Sequence, residues 1–321
     1  MQGFDQKRPS LIDGIRAAPD RFPSLHSLLT ALLALWPDHG KFLSRSFRDR
    51  SDALLESTGL VASMIVKLAG TDLAKLCEDY RWMCDRLQEE ELEFRRTGRY
   101  RRRTFAETDR DVYANPEYMS RYINGILLSQ ALWFNHAAVL DLYIRRFLPE
   151  TPPGGRLLEV GPGHGLMLCM AANQGRLATL TAWDVSETSI SRTAQSLERL
   201  KISQPVELAI GNVVEKTSGN RRFDVVTMSE VLEHLESPAS ALANVRTLLA
   251  PGGRLFISVP VNSPAPDHLY LLRSPEEAVE LIQHCGFNVT DARFFAMGGY
   301  TLERARRADV TISCAIIAEL P

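Results

Sequence analysis

The chain has 321 residues, long for one domain and comfortable for two. Hydrophobic residues make up 45% and charged residues 24%, which excludes disordered and collagen-like classes. Lys plus Arg number 37 against 39 for Asp plus Glu, so the formal charge is −2 and no broad basic surface is available for non-specific nucleic-acid binding.

The opening segment, Met1-Gln2-Gly3-Phe4-Asp5-Gln6-Lys7-Arg8, has no apolar core of the kind a secretory leader needs. The longest apolar-rich run, Ser27 to Trp36, is about half of the roughly 18 residues a membrane helix requires. Five cysteines, Cys77, Cys84, Cys169, Cys285 and Cys314, are odd in number and follow no metal-ligand spacing. On one helix Cys77 and Cys84 would stand about 10 Å apart, beyond the roughly 7 Å that a disulfide tolerates. The expectation is free thiols, no metal, and a cytoplasmic chain with neither a membrane nor a nucleic acid as partner.

The first half is glycine-poor and helical. Ser24 can cap a helix to about Trp36, and Ser51 another to about Leu68. Thr71 can cap a long amphipathic helix towards Arg96, with Leu73, Leu76, Tyr80, Met83 and Leu87 at helical spacing. The basic run from Arg95 to Arg103 reads as a solvated loop between helices, an anionic partner being the alternative. Asn115 and Pro116 then open a helix that runs from Tyr118 to Phe147 with no break but Gly125. Its middle, Ile123 to Leu142, is apolar nearly all round and so predicts burial on several sides. The polar residues within it, Asn124, Ser129, Gln130, Asn135 and His136, either bond to neighbouring helices or face a ligand between two domains.

Prolines and glycines cluster from Pro149 to Gly155 and mark a linker. The predicted organisation is a helical substrate or lid domain over residues 1–149 and a nucleotide-binding α/β domain over 150–321. Seven candidate strands begin near Leu157, Leu180, Val206, Asp224, Leu255, Phe287 and Asp309, with helical stretches separating the first six. That alternation predicts a Rossmann-like, seven-stranded, mostly parallel sheet.

The first strand, Leu157-Leu158-Glu159-Val160, ends beside a carboxylate and runs straight into Gly161-Pro162-Gly163-His164-Gly165 and a helix. Strand, glycine turn and helix form a cradle for a nucleotide-like ligand. The dinucleotide fingerprint fails because Leu166 occupies its third glycine position, and no Gly-Lys-Ser or Gly-Lys-Thr follows for a P-loop. The alternating glycines, with an acid two residues before the first, resemble motif I of the class I S-adenosylmethionine-dependent methyltransferases.

The later motifs agree with that resemblance in order and spacing over roughly Gly154 to Leu320. Asp184 ends the second strand about twenty residues beyond the glycines, where an acid can accept from both ribose hydroxyls or, alternatively, cap the Ser186 helix. Gly211-Asn212-Val213 follows the third strand; the family often carries an acid there, and the Asn212 oxygen can still accept from the adenine amine. Phe223 to Leu235 matches the fourth-strand motif, and Pro251-Gly252-Gly253-Arg254-Leu255 the turn before the fifth. The resemblance implies S-adenosylmethionine as cofactor, with Glu159 holding its ammonium and Gly161, Pro162, Gly163 and Gly165 lining its amino-acid tail. Val185, Val213, Ser229, Glu230 and His234 complete the implied cofactor set.

In that family the substrate side is built from N-terminal helices and the loop after the fifth strand, here Val261 to Tyr270. His268 is a candidate base near neutral pH, or a loop histidine bonded to backbone. Tyr118 and Tyr122 share a helix face and are candidate catalytic residues over the sulfonium, or ordinary core. Tyr113, Trp133, Asn135, His136 and Asn262 are the candidate substrate contacts.

The expected activity is methyl transfer to a small molecule, of the kind used in secondary metabolism. The segment from Asn115 to Met119 and its helix, joined to this core, also resembles the azetidine-2-carboxylate synthases. Those enzymes cyclise S-adenosylmethionine itself and release methylthioadenosine. A non-catalytic S-adenosylmethionine-binding protein is the third alternative, and a homodimer is kept open as the assembly.

Overall fold

The computed structural model describes residues 11–17, 19–215 and 221–321; the leader reading of Met1 to Arg8 lies outside them. The strands are β1 (Arg156–Val160), β2 (Thr179–Asp184), β3 (Val206–Ile210), β4 (Phe223–Ser229), β5 (Leu249–Val261), β6 (Asn288–Ala296) and β7 (Ile312–Glu319). They form one sheet in the order β3-β2-β1-β4-β5-β7-β6. The pairs from β3 to β5 are parallel, and β7 lies antiparallel between β5 and β6. β1 is buried at four of its five positions, as a central parallel strand with both faces covered must be. The sheet differs from the expectation at its ends. β5 begins at Leu249 rather than near Leu255, β7 at Ile312 rather than near Asp309, and no helix stands between β3 and β4 among the described residues.

Helices α9 (Leu166–Asn173), α10 (Glu187–Arg199), α11 (Pro238–Leu248) and α12 (Pro275–His284) supply the crossovers, and α13 (Leu302–Arg307) precedes the last strand. From β1 the chain winds outward to β2 and β3, then returns to β4 on the other side. The strand order therefore reverses between β1 and β4, and a crevice opens at their carboxyl ends. Register aligns that edge: Val160 pairs with both Trp183 and Met228, so Glu159, Asp184 and Ser229 arrive at one rim.

The first half contributes α1 (Leu11–Ala17), α2 (Pro23–Leu35), α3 (Gly40–Phe47), α4 (Asp52–Ala69), α5 (Leu73–Thr97), α6 (Phe105–Thr108), α7 (Pro116–Leu132) and α8 (Phe134–Leu142). Ser51 caps α4 by accepting from the Leu54 N–H. Ser24 and Thr71 are not caps: α2 begins on Pro23, placing Ser24 inside it, and α5 follows Asp72. Asn115 caps α7 with Pro116 in first position, as expected.

The expected single helix from Tyr118 to Phe147 is broken at Trp133 (φ −88°, ψ 133°). The cause lies on other helices. The Arg50 guanidinium donates to the carbonyls of Ala131 and Leu132, and the Ser46 hydroxyl also donates to Leu132. The carbonyls a helix end leaves without partners are thus met from outside. Gly125 is no break. It lies within α7 where α5 crosses, and a Cβ there would stand 2.6 Å from Met83 Cβ.

α8 then packs on the sheet, with Asn135 donating to Ser313 of β7. Tyr143 and Phe147 bring their rings to 5.1 and 5.2 Å from that of Phe256 in β5. One apolar cluster runs from Leu25 and Leu28 through Tyr143 to Leu157 and Ile317, so the helices and the sheet share a core across the Pro149 turn. The basic run differs from the expected loop at its start, where Arg95 and Arg96 form the last turn of α5; from Gly98 it is a loop, and it is pinned: Arg101 pairs with Glu90, and Arg102 donates to the Pro266 carbonyl at 2.5 Å. All five cysteines are free thiols. No single helix among the described residues is long and apolar enough to cross a membrane.

Candidate active site

A cavity of about 540 Å³ occupies the crevice at the carboxyl ends of β1, β2 and β4, within the range of small-ligand sites. The glycine turn, the residues after β2 and β3, Ser229 to Val231, and His234 to Ser237 form its sheet side. Tyr113 and, from α7, Met119, Tyr122, Ile123, Ile126 and Gln130 roof it, while Asp267 and His268 enter from the loop after β5.

The turn is built by backbone conformations that side chains resist. Gly161 has φ +70°, and a Cβ there would lie 2.7 Å from Val231, so the glycine lets the turn approach the β4 loop. Gly163 has φ +53° with no atom within 4 Å of a Cβ position; that space belongs to the cavity. Glu230 follows β4 at φ +54°, a left-handed conformation uncommon outside glycine, and its carboxylate accepts from the Ser258 hydroxyl.

Burial sets the electrostatics. Glu159 is 4% exposed and its Oε2 has no hydrogen-bond partner. Desolvation pushes its carboxyl up to about 8. Asp184 is raised to about 6, again by desolvation, with the Ser186 N–H at 2.9 Å working against it. His136, His164 and His268 are lowered by burial to about 3, 4 and 4, so all three imidazoles are neutral near pH 7. The Tyr122 hydroxyl donates to Asp267 Oδ1 at 2.9 Å, and burial raises its pKa well above the usual phenol range.

Most of the expected cofactor set converges on the cavity: Glu159, Gly161, Pro162, Gly163, Asp184, Val185, Asn212, Val213, Ser229, Glu230 and His234 all line it. Gly165 does not. A Cβ there would stand 3.0 Å from the Thr193 backbone, so this glycine serves the packing of α9 against α10. Asn212 lines the cavity, but its side-chain oxygen accepts from the Val214 N–H. The Ser186 side chain is the one that caps α10, so Asp184 is not that helix's cap.

The substrate side needs more correction. Tyr113, Tyr122, His136 and His268 reach the cavity, whereas Tyr118, Trp133, Asn135 and Asn262 do not. Tyr118 turns its ring onto Trp82, at 4.9 Å. Trp133 donates its indole N–H to Tyr80. Asn135 is spent on Ser313, and Asn262 holds a turn at φ +48° through the Arg273 carbonyl. His268 is too weak a base for neutral pH, because burial favours its uncharged form. Of the polar residues in the long apolar segment, Asn124 bonds Asp79 and Ser129 bonds His136. Sequence reasoning passed over Asp267, His164 and Trp183, all cavity residues. Asp267 had a usable signal, an acid beside a histidine in the loop after β5.

A methyltransferase-domain family profile matches residues 134–296. The chain belongs to this family. S-adenosylmethionine is its cofactor, as the motifs implied. Among curated proteins the chain is similar to the ubiquinone biosynthesis O-methyltransferases of Coxiella burnetii, 30% identical over 132 residues, covering 41% of this chain and 54% of that protein. The corresponding protein of Aeromonas salmonicida is 31% identical over 133 residues, covering 40% and 52%. The chain thus matches these relatives over about half of their length. Among solved structures, a phosphoethanolamine N-methyltransferase of Haemonchus contortus superposes with a TM-score of 0.51 at 15% identity, covering 68% of this chain and 60% of that one. This last likeness concerns the fold.

The residues present fit such a cofactor. The open space over Gly163 admits a ligand against bare backbone, and the unpartnered Glu159 oxygen suits an ammonium. Trp183 and Tyr113 add aromatic surface.

Proposed function

We propose that the chain transfers the methyl group of S-adenosylmethionine to an oxygen of a small molecule held between the glycine turn and α7. The cofactor supplies an electrophilic methyl on a sulfonium. Glu159 holds the ammonium, Asp184 the ribose, and the backbone of Gly161 to Gly163 the amino-acid tail. The observation that carries the reading is the pair opposite that turn, with Tyr122 donating to Asp267 on the cavity wall. An acceptor hydroxyl must lose its proton as it attacks, and the Asp267 carboxylate is placed to take it while Tyr122 fixes its orientation. The curated relatives are O-methyltransferases by name, which supports an oxygen nucleophile as the first class to test. The enclosure of the cavity by α7 supports a small acceptor, of the kind modified in secondary metabolism. Free thiols support a reducing compartment, the cytoplasm.

A second reading has one observation in its favour. Glu159 is buried with an unpartnered Oε2, and desolvation pushes its carboxyl up to about 8, so it can face a neutral amine as well as an ammonium. A neutral amine is what cyclisation to azetidine-2-carboxylate requires. Incubation with S-adenosylmethionine alone, followed by mass spectrometry, separates these readings. Methyl transfer yields S-adenosylhomocysteine only when a phenolic or hydroxylic acceptor is added. Methylthioadenosine with azetidine-2-carboxylate from cofactor alone assigns cyclisation instead, and tight binding without turnover assigns a binding protein.

A further inference from the structure

The loops after β4 and β5 bring Glu233, His234 and His268 together beside the cavity, with one ligand-type atom of each within 4.8 Å of the others. The loops are tied at this point: the Leu269 and Tyr270 N–H groups both donate to the Glu233 carbonyl. The Glu233 side chain is fully buried, yet neither of its carboxylate oxygens accepts a hydrogen bond. Buried carboxylates are ordinarily satisfied, because losing water without a replacement is costly.

The two imidazoles explain what could satisfy it. His234 Nδ1 lies 3.0 Å from the Asp267 carbonyl oxygen, and His268 Nδ1 lies 2.5 Å from that of Ser263. A carbonyl only accepts, so each Nδ1 carries a proton and Nε2 is the ring nitrogen left to bind a metal. These Nε2 atoms face the carboxylate, 3.8 and 3.9 Å from Glu233 Oε1. Three electron-pair donors therefore converge at distances too long for hydrogen bonds between them. Outer contacts of this kind, from Nδ1–H to a backbone carbonyl, are what orient metal-ligating histidines.

We propose that Glu233, His234 and His268 bind one divalent ion of the zinc type through a carboxylate oxygen and two Nε2 atoms. An ion at 2.0–2.1 Å from each donor holds them about 3.0–3.4 Å apart, so the shell closes by a movement of roughly half an ångström. Two imidazoles with one carboxylate select borderline ions such as Zn²⁺ or Co²⁺ over Mg²⁺ and Ca²⁺. Three protein ligands leave coordination positions open. His234 and His268 line the cavity, so those positions are reached from it by water or by an oxygen of a bound molecule.

Metal binding is read without turnover, and so stands or falls apart from the proposed methyl transfer. The untagged full-length chain, stripped with a chelator, is titrated with Co²⁺ and with Zn²⁺. One equivalent is expected to bind, with visible Co²⁺ ligand-field absorption and no competition from equimolar Mg²⁺. X-ray absorption fine structure of the Zn²⁺-loaded chain is expected to show two imidazole nitrogens near 2.0–2.1 Å. Glu233→Gln and His268→Asn should each weaken binding at least tenfold. Absence of stoichiometric binding to the folded wild type overturns the proposal, as does a Zn²⁺ shell without the imidazole pair. Wild-type affinity in both variants, folded by circular dichroism, overturns it too. Should the variants not fold, the wild-type spectra decide alone.

Discussion

Glu159 gives the ligand-free protein a pH signature. Its carboxyl ionises near 4.5 in the unfolded chain and at about 8 in the ligand-free fold. Between those values the folded state binds the extra proton, so the contribution of this group to stability falls as pH rises from about 4.5 to 8. A cofactor ammonium beside Glu159 favours the ionised form, and binding near pH 7 should then release a proton. Calorimetric titration in two buffers of different ionisation enthalpy measures this, and Glu159→Gln should abolish the buffer dependence. Asp184→Ala should weaken cofactor binding by about 1.5–3 kcal/mol, the worth of a charge-assisted contact, in a chain that still folds. Unchanged affinity would remove Asp184 from the ribose site. Asp267→Asn and Tyr122→Phe separate base from orienter. The first should lower turnover by about a hundredfold or more and the second by about tenfold, with cofactor affinity little changed in either. Equal losses in cofactor affinity and turnover would place both residues in binding instead.

At the scale of elements, local signals and tertiary ones divide cleanly. The glycine turn, the acid ending β2 and the capping of α4 and α7 are written in neighbouring residues, and each was legible in the chain. The break at Trp133 was not, because Arg50 and Ser46 impose it from more than eighty residues away. Trp133, an expected substrate contact, stands at that break instead, and Asn135 just beyond it bonds Ser313 of the sheet. Tyr118 and Tyr122 share a face, but only Tyr122 faces the cavity; the ring of Trp82 draws the other away. Gly163→Val should abolish cofactor binding while leaving the fold intact, since the added branch enters empty space at a left-handed backbone position. Gly125→Ala should do the reverse. It drives a methyl into Met83 and should lower stability by about 1–3 kcal/mol, read by denaturant titration, before it touches affinity.

For the whole molecule the shared core decides how the two halves behave. Removing residues up to Pro149 strips Tyr143 and Phe147 from Phe256 and leaves that face of the sheet bare. The remaining piece should bind a hydrophobic dye, aggregate and show no turnover. A soluble, active fragment beginning at Glu150 would contradict the two-part site. The same anchoring holds the roof over the cavity. The roof helix α7 is clamped at its far end, where Arg50 and Ser46 grip its last carbonyls. Its near end follows the stretch from Gly98 to Asn115, which is fastened to the site through Arg102 on Pro266 and the Phe105 N–H on Glu236. Between those ends Tyr122 holds Asp267 and Asn124 holds Asp79, so the roof is a beam fastened along its span and not a door hung on one end.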